Sequence, residues 1–234
     1  MNDLHYISAS INADALQTVD PRFIREKLLH AQMQSWNVLK RIKDEINQGT
    51  TEDEARKLAL KICSGFGVSK HWHKPYIRFG TGTTLTFHDP LQSEYRLQTG
   101  DPFYIDLGPV WHDAESGLDY EGDVGDTFIF GENSEAEKCA ETARTLFQEA
   151  KSKWQTGCLT GCEIYVFLNR RASELGYALL EKVDGHRLGD FPHQKYSKER
   201  LAKLPFCPKS SLWVLEVQIT HPELKIGSFY EDLL

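Results

Sequence analysis

Tyr104-Ile105-Asp106-Leu107-Gly108, followed by Tyr120-Glu121-Gly122-Asp123 and Thr127-Phe128-Ile129-Phe130-Gly131, is the stretch on which the reading of this chain turns. It reads as two strands of one hairpin joined by a polar turn over His112-Asp113-Ala114-Glu115-Ser116-Gly117. Both strands are largely aromatic or β-branched, yet each carries a carboxylate where a core residue is expected. An unpaired buried carboxylate costs several kcal/mol, so two in neighbouring strands need a cause. A cation held by both supplies one. The hairpin by itself favours the plainer reading, acids that flank turns and face solvent. The rest of the chain weighs against it.

Downstream, Asp184-Gly185-His186-Arg187-Leu188-Gly189 brackets a histidine with glycines, and His193 follows in Phe191-Pro192-His193. Leu212-Trp213-Val214-Leu215-Glu216-Val217 is an apolar strand with one glutamate in its middle, and Ile226–Leu234 is another with Glu231 in its body. Singly, such a glutamate marks a strand edge more often than a site. Four such acids with a glycine-bracketed histidine are hard to explain that way. Upstream, His88 in Leu85-Thr86-Phe87-His88-Asp89-Pro90 directly precedes the carboxylate hairpin. His71-Trp72-His73 would put two imidazoles on one face of a strand. No acid accompanies them locally, so the expectation there is a surface or internally satisfied pair.

The remainder reads as scaffold. Residues 1–20 are unpatterned and are expected to form an irregular lead-in. Pro21 opens a helical pattern to about Asn47, with Phe23, Ile24, Leu28, Leu29, Trp36, Leu39, Ile42 and Ile46 at helical spacing, and Gly49 ends it. Thr51 with Glu54 is a capping box for a second helix. Ser134 with Glu137 caps a third reaching about Trp154, and Thr160 with Glu163 caps a fourth ending near Gly176. The order helix, helix, strands thus occurs twice. It predicts a single pseudo-symmetric α+β domain over residues 1–234, with helices packed on one side of a curved sheet. No linker or low-complexity run divides it.

The chain has 234 residues and an apolar fraction that supports a core. Net charge is −7, without a basic cluster or aromatic-basic interleaving, which argues against nucleic acid or anionic membrane as a partner. No segment has the roughly 18 apolar residues of a membrane span. The start, Met-Asn-Asp-Leu-His-Tyr, lacks the features of a signal peptide. Five cysteines, an odd number in no zinc-knuckle spacing, read as reduced core thiols, Cys158 and Cys162 included. Together these predict a cytoplasmic protein.

Three or four carboxylates and an imidazole, all from strands, suit two divalent ions rather than one. Two ions sharing carboxylates lower the pKa of a trapped water, a neighbouring carboxylate acts as general base, and nearby imidazoles hydrogen-bond a carbonyl. That is the chemistry of amide hydrolysis.

In order and context these residues resemble the pita-bread metallopeptidases: methionine aminopeptidase, aminopeptidase P, prolidase and their non-peptidase relative creatinase. The resemblance covers roughly residues 22 to 234. It implies the pita-bread fold, a pseudo-symmetric curved antiparallel sheet covered by helices. It places five metal ligands on Asp106, Asp123, His186, Glu216 and Glu231, holding two divalent ions, with manganese, cobalt, iron and zinc all open. It implies that Asp106 chelates one ion, that Asp123 and Glu231 bridge both, and that Glu216 also handles the proton of the attacking water. His88 and His193 fall at the family's two substrate-contacting histidines. Asp126 competes with Asp123, which is preferred for its spacing from Tyr120 and the following Thr127-Phe128.

Two departures bear on function. Arg187 replaces a glycine beside the metal histidine; it either reaches a substrate carboxylate or phosphate-like group, or points to solvent or pairs with Asp184 or Asp190. Proline after the first glutamate is replaced by Val217. The expected activity is an aminopeptidase P- or prolidase-like hydrolysis of a short peptide or small amide, in which a metal-bridged hydroxide attacks the carbonyl. The alternatives are a non-catalytic pita-bread binding protein and a creatinase-like, metal-independent small-molecule enzyme. A homodimer that completes the substrate pocket stays open.

Overall fold

The computed structural model describes residues 13–180, 182–195 and 197–234. In chain order its helices are α1 (Ala13–Leu16), α2 (Arg25–Glu45), α3 (Glu52–Gly65), α4 (Ser134–Gly157) and α5 (Gly161–Glu174). Its strands are β1 (Lys70–His71), β2 (Tyr76–Phe79), β3 (Pro102–Leu107), β4 (Pro109–Asp113), β5 (Leu118–Glu121), β6 (Val124–Ile129), β7 (Ala178–Leu179), β8 (His186–Arg187), β9 (Trp213–Thr220) and β10 (Gly227–Leu233). Most of the expected lead-in, residues 1–12, lies outside the described residues; Ala13–Leu16 that follow form one helical turn.

The main sheet is antiparallel in the order β2-β3-β6-β10-β9-β7, with β8 also on β9. Two helices serve each half. Val38, Leu39 and Ile42 of α2 and Ala55, Ala59 and Ile62 of α3 pack on Ile77, Phe103, Ile105 and Leu107. Leu146, Phe147 and Ala150 of α4 and Ile164 and Leu168 of α5 pack on Trp213, Leu215, Val217 and Ile219. This doubled arrangement is the pseudo-symmetry that the element order predicts. Because side chains alternate along a strand, sending the odd positions of β3 and β9 to the helices sends Asp106 and Glu216 to the opposite face. The acids interrupt apolar strands without interrupting the core.

The capping boxes at Thr51–Glu54 and Thr160–Glu163 are present. Elsewhere the sequence boundaries shift. Asn133 rather than Ser134 caps α4, accepting from the Ala136 amide, and α2 begins at Arg25 because residues 21–22 form a turn after Pro21's lead. The expected single hairpin is also more elaborate. β3 pairs with β6, but the chain between them forms a second hairpin, β4–β5, which joins β1 in a separate three-stranded sheet. The polar turn at 113–117 is the tip of this inner hairpin.

One cysteine expectation is overturned. Cys158, at the end of α4 in a left-handed conformation, is disulfide-bonded to Cys207 in the loop before β9. Cys63, Cys139 and Cys162 are free. Cys158 and Cys207 are far apart in sequence, and only the fold brings their Cα atoms to 5.5 Å. The pair removes the cysteine argument for a reducing compartment. No helix among the described residues is long and apolar enough to cross a membrane.

Candidate metal centre

The sheet register lines up the acids. Asp106 on β3 is opposite Gly125 on β6, Gly125 is opposite Glu231 on β10, and Glu231 is opposite Glu216 on β9. Four adjacent strands thus present three carboxylates in one row, with a glycine in the remaining place. A Cβ at Gly125 would lie 2.3 Å from the Phe229 ring and 3.3 Å from Glu231 Cβ, so a side chain there would intrude on the row. Thr127 holds the adjoining register: its hydroxyl donates to the Phe229 carbonyl (2.9 Å) and accepts from the Phe229 amide (2.8 Å).

Asp123 stands just before β6 and is 1% exposed. Gln32 of α2 fixes its main chain from both sides, donating to the Asp123 carbonyl (2.6 Å) and accepting from its amide (2.9 Å). The same amide group of Gln32 donates to Asp232, the neighbour of Glu231 (2.7 Å). One helical glutamine therefore ties two carboxylate-bearing segments together. No sequence signal marks it, since a lone glutamine on a helix carries no pattern.

His186 enters from β8, paired to β9 through Val214. Its Nδ1 donates to the Arg187 carbonyl (2.9 Å), which turns Nε2 toward Asp123 Oδ2 (3.1 Å) and Glu231 Oε1 (3.8 Å). Gly185 before it has φ +66, and a Cβ there would meet the Val214 carbonyl oxygen at 2.6 Å. Its amide donates to Glu216 Oε2 (2.7 Å), which orients that carboxylate.

Burial pushes the Asp106 carboxyl up to about 7; His73 opposes this and Asp123 adds to it. Burial also raises Glu231 and Glu121 well above the carboxylate range, with the Asp123 charge adding to each, and it raises Glu216. At Asp123 burial works in the same direction, but hydrogen bonds from His186 and His73 outweigh it and hold this carboxyl below its ordinary value. Burial lowers His186, and its contacts with Asp123 overcome that and lift it to about 9. Among the described residues, Asp106 Oδ1, Asp123 Oδ1, Glu121 Oε1 and Glu231 Oε2 are buried without a hydrogen-bond partner. Orphaned carboxylate oxygens in a dry site are costly, and a divalent cation removes the cost. Hard oxygen donors with imidazole fit such an ion. The ligand atoms form two clusters that share Asp123: His73, Asp106 and Asp123, and Asp123, His186 and Glu231.

The structure brings Asp106, Asp123, His186, Glu216, Glu231 and His193 to one cavity of about 310 Å³. Asp126 is elsewhere, paired with Arg144 of α4 at 2.9 Å. His88 is not brought in. It is exposed, its ring packs on Phe87 (centroids 4.0 Å), and Phe87 is the residue of that loop that lines the cavity. The cause is local: Asp89 caps Thr86, and Arg78 binds the carbonyls of Thr86, Asp89 and Pro90. Arg187 does not reach out for a substrate. Its guanidinium is buried, paired with Asp190 (3.0 Å) and bonded to the carbonyls of Thr18, Leu188 and His193.

Two residues escaped the sequence reading, one lining the cavity and one behind it. His73 lies 3.4 Å from Asp106 Oδ1, so the expectation of a surface or satisfied pair is wrong for this member of the His71–His73 pair. Its acidic partners come from later strands, which no local pattern reveals. Glu121 is fully buried, with Oε2 2.6 Å from His193 Nδ1. His193 is further packed between Trp72 (4.3 Å) and His186 (4.7 Å). Burial and the neighbouring His186 push its imidazole down to about 2, which keeps it neutral.

The model of metallopeptidase family M24 matches residues 26–233. No curated protein matches the chain. Among solved structures, the chain is similar to an Xaa-Pro dipeptidase from Bacillus anthracis, at 20% identity and TM-score 0.72, over 94% of this chain and 59% of that one. It is similar to the prolidase from Pyrococcus furiosus at 20% identity and TM-score 0.70, over 94% and 63%. It is also similar to a methionine aminopeptidase from Thermotoga maritima at 15% identity and TM-score 0.64, over 89% and 90%. The chain spans less than two thirds of the length of the first two. The fold is the pita-bread fold these proteins share, in the α+β class.

Proposed function

Since the chain belongs to metallopeptidase family M24, we propose that it is a metal-dependent hydrolase of a short peptide or small amide, holding two divalent ions on Asp106, Asp123, His186, Glu216 and Glu231. The carrying observation is that Asp106, Asp123, His186 and Glu231 fall in two ligand clusters that share Asp123, with Glu216 beside Glu231 in the register of β9 and β10. Manganese, cobalt, iron and zinc all suit this oxygen-rich set.

When bound, the ions supply Lewis-acid polarisation and a water of lowered pKa. The chain's own groups do the rest. Glu216, with Oε2 fixed by the Gly185 amide, is the carboxylate proposed to take the proton of the attacking water. His193 is neutral and accepts at Nδ1 from the Glu121 carboxyl, which burial keeps protonated, so its hydrogen stays on Nε2 to donate to the substrate carbonyl. Trp72, Tyr76 and Phe87 form apolar walls that orient a small substrate and exclude water. A cavity of about 310 Å³ suits a peptide of a few residues.

The binding-protein alternative drew on the altered Gly-His-Arg; Arg187 is buried against Asp190, and His186 still turns its Nε2 to Asp123 and Glu231, which weakens that support. The test is elemental analysis of protein purified without chelator, followed by a dipeptide and N-terminal peptide screen with added manganese or cobalt. About two ions per chain and turnover lost in Glu216→Ala are expected. Absence of metal after soaking in manganese, cobalt and zinc would sink the proposal.

A further inference from the structure

His186 and His73 are held in the same way at opposite ends of the acidic cluster. The Nδ1 of each is 2.9 Å from the carbonyl oxygen of the following residue, Arg187 for one and Lys74 for the other. A carbonyl only accepts, so Nδ1 carries the hydrogen in both rings. Nε2 of each ring is then the atom turned to the carboxylates: His186 to Asp123 Oδ2 and Glu231 Oε1, and His73 to Asp106 Oδ1 (3.4 Å) and Asp123 Oδ1 (3.8 Å). Those last two oxygens are themselves buried and without a hydrogen-bond partner. Without an ion a proton on Nε2 serves these oxygens, and a cation that displaces it would meet the Nε2 lone pair and both carboxylates together. A backbone-anchored Nδ1 with a free Nε2 is the usual arrangement of a metal-ligating imidazole.

The surroundings hold the His73 ring there. It stacks on Tyr76 (centroids 5.2 Å), and Gly108 leaves the space it occupies. A Cβ at Gly108 would stand 2.9 Å from His73 Nε2.

We propose that His73 is a sixth protein ligand of the metal centre, binding with Asp106 and Asp123 the ion on the side away from His186. Each ion then has one imidazole, and Asp123 serves both. This rests on the two-ion reading above.

The test is titration of the metal-free protein with manganese or cobalt alone, followed calorimetrically, with bound metal counted by elemental analysis. Wild type, His73→Ala, Gly108→Ala and His186→Ala are compared, each with its fold checked by circular dichroism. The expected wild type binds two ions. His73→Ala keeps one and binds the other on the order of 100-fold more weakly, at or above the loss seen for outer-shell changes. Gly108→Ala, which retains the imidazole but displaces it, shows the same selective loss. His186→Ala weakens the other ion. If His73→Ala and Gly108→Ala bind both ions with wild-type affinity, the proposal is overturned while the two-ion reading stands. A change confined to substrate KM, with metal affinity intact, also overturns it. A wild type that binds no metal overturns both.

Discussion

Glu216 and Glu231 are direct register partners across β9 and β10, two buried glutamates facing each other on adjacent strands. Burial and repulsion from neighbouring carboxylates raise both carboxyls, Glu231 well above the carboxylate range, so holding them there without a cation is costly. The arrangement therefore lowers the stability of the metal-free protein and reserves the stabilisation for the loaded state. Manganese or cobalt at a hundredfold excess over Kd should stabilise folding by about 2.7 kcal/mol per site. A thermal melt shows this as a rise in Tm that a chelator reverses. In Glu231→Gln the shift should vanish, and an unchanged shift would remove Glu231 from the metal centre.

The same electrostatics set a pH dependence. Asp106 is raised by burial to about 7 in the fold, above its unfolded value, so its stabilising protonated form is present below about pH 4 and lost as pH rises through 7. His186, raised to about 9, adds stability that is present below its unfolded value and lost as pH rises through 9. Asp123 works the opposite way in the acid range, and His193, lowered to about 2, does so below about pH 6.5. Glu231 and Glu121, raised well above the carboxylate range, add to the loss as pH rises. Metal-free protein should thus melt at a lower temperature at pH 8.5 than at pH 5.5. Metal affinity should run in the other direction, since binding displaces those protons. Calorimetry in buffers of differing ionisation enthalpy would detect the release, and a pH-independent affinity would contradict it.

Gln32 is the support of Asp123. Gln32→Leu leaves the Asp123 amide and carbonyl and the Asp232 carboxylate without these partners. The cost in stability should be about 1–3 kcal/mol. Metal affinity should fall about 10- to 100-fold. Loss of stability at unchanged metal affinity, measured by denaturant melts and metal titration, would reduce Gln32 to a structural role.

The free thiols should differ in reactivity. Burial raises Cys63 to about 11 and Cys139 to about 12, whereas Cys162 is partly exposed in the first turn of α5. A thiolate-selective reagent at pH 8 should label Cys162 alone in the native protein. Cys158 and Cys207 should be labelled only after reduction. Peptide mapping decides, and labelling of Cys158 in unreduced protein would exclude the disulfide.

How much of this was legible in the sequence follows from how each residue announces itself. Asp106, Glu216 and Glu231 stand out because an acid inside an apolar strand breaks a pattern, and the period-two alternation explains where each points. His186 stands out by its glycines. His73, Glu121 and Gln32 do not, because their partners come from distant segments and their immediate neighbours are unremarkable. His88 misled through its position ahead of β3: the loop geometry imposed by Arg78 and Asp89 presents Phe87 instead. The inserted β4–β5 hairpin hid in the same way, since its turn residues serve equally well for the simpler connection. Asp126 and Arg144 form a pair no local reading finds, one on a strand and the other on a helix.

The loop that carries Phe87 is anchored by a buried ion pair behind it. Glu52 and Arg78 are both fully buried, 3.5 Å apart, and Glu52 accepts from the amides of Phe79 (3.0 Å) and Gln92 (2.8 Å). Arg78 in turn gathers the carbonyls of Thr86, Asp89 and Pro90. Removing one member leaves the other charge buried and unpaired, which costs about 3–5 kcal/mol. Glu52→Ala should therefore destabilise the protein strongly in denaturant melts. Because Arg78 is also what holds Phe87 against the cavity, substrate KM should rise in whatever fraction stays folded, while metal content stays near wild type. Glu52→Gln keeps an acceptor for one amide and should recover part of both losses. If Glu52→Ala melts like wild type, the pair contributes little and the loop is held by the Arg78–carbonyl bonds alone.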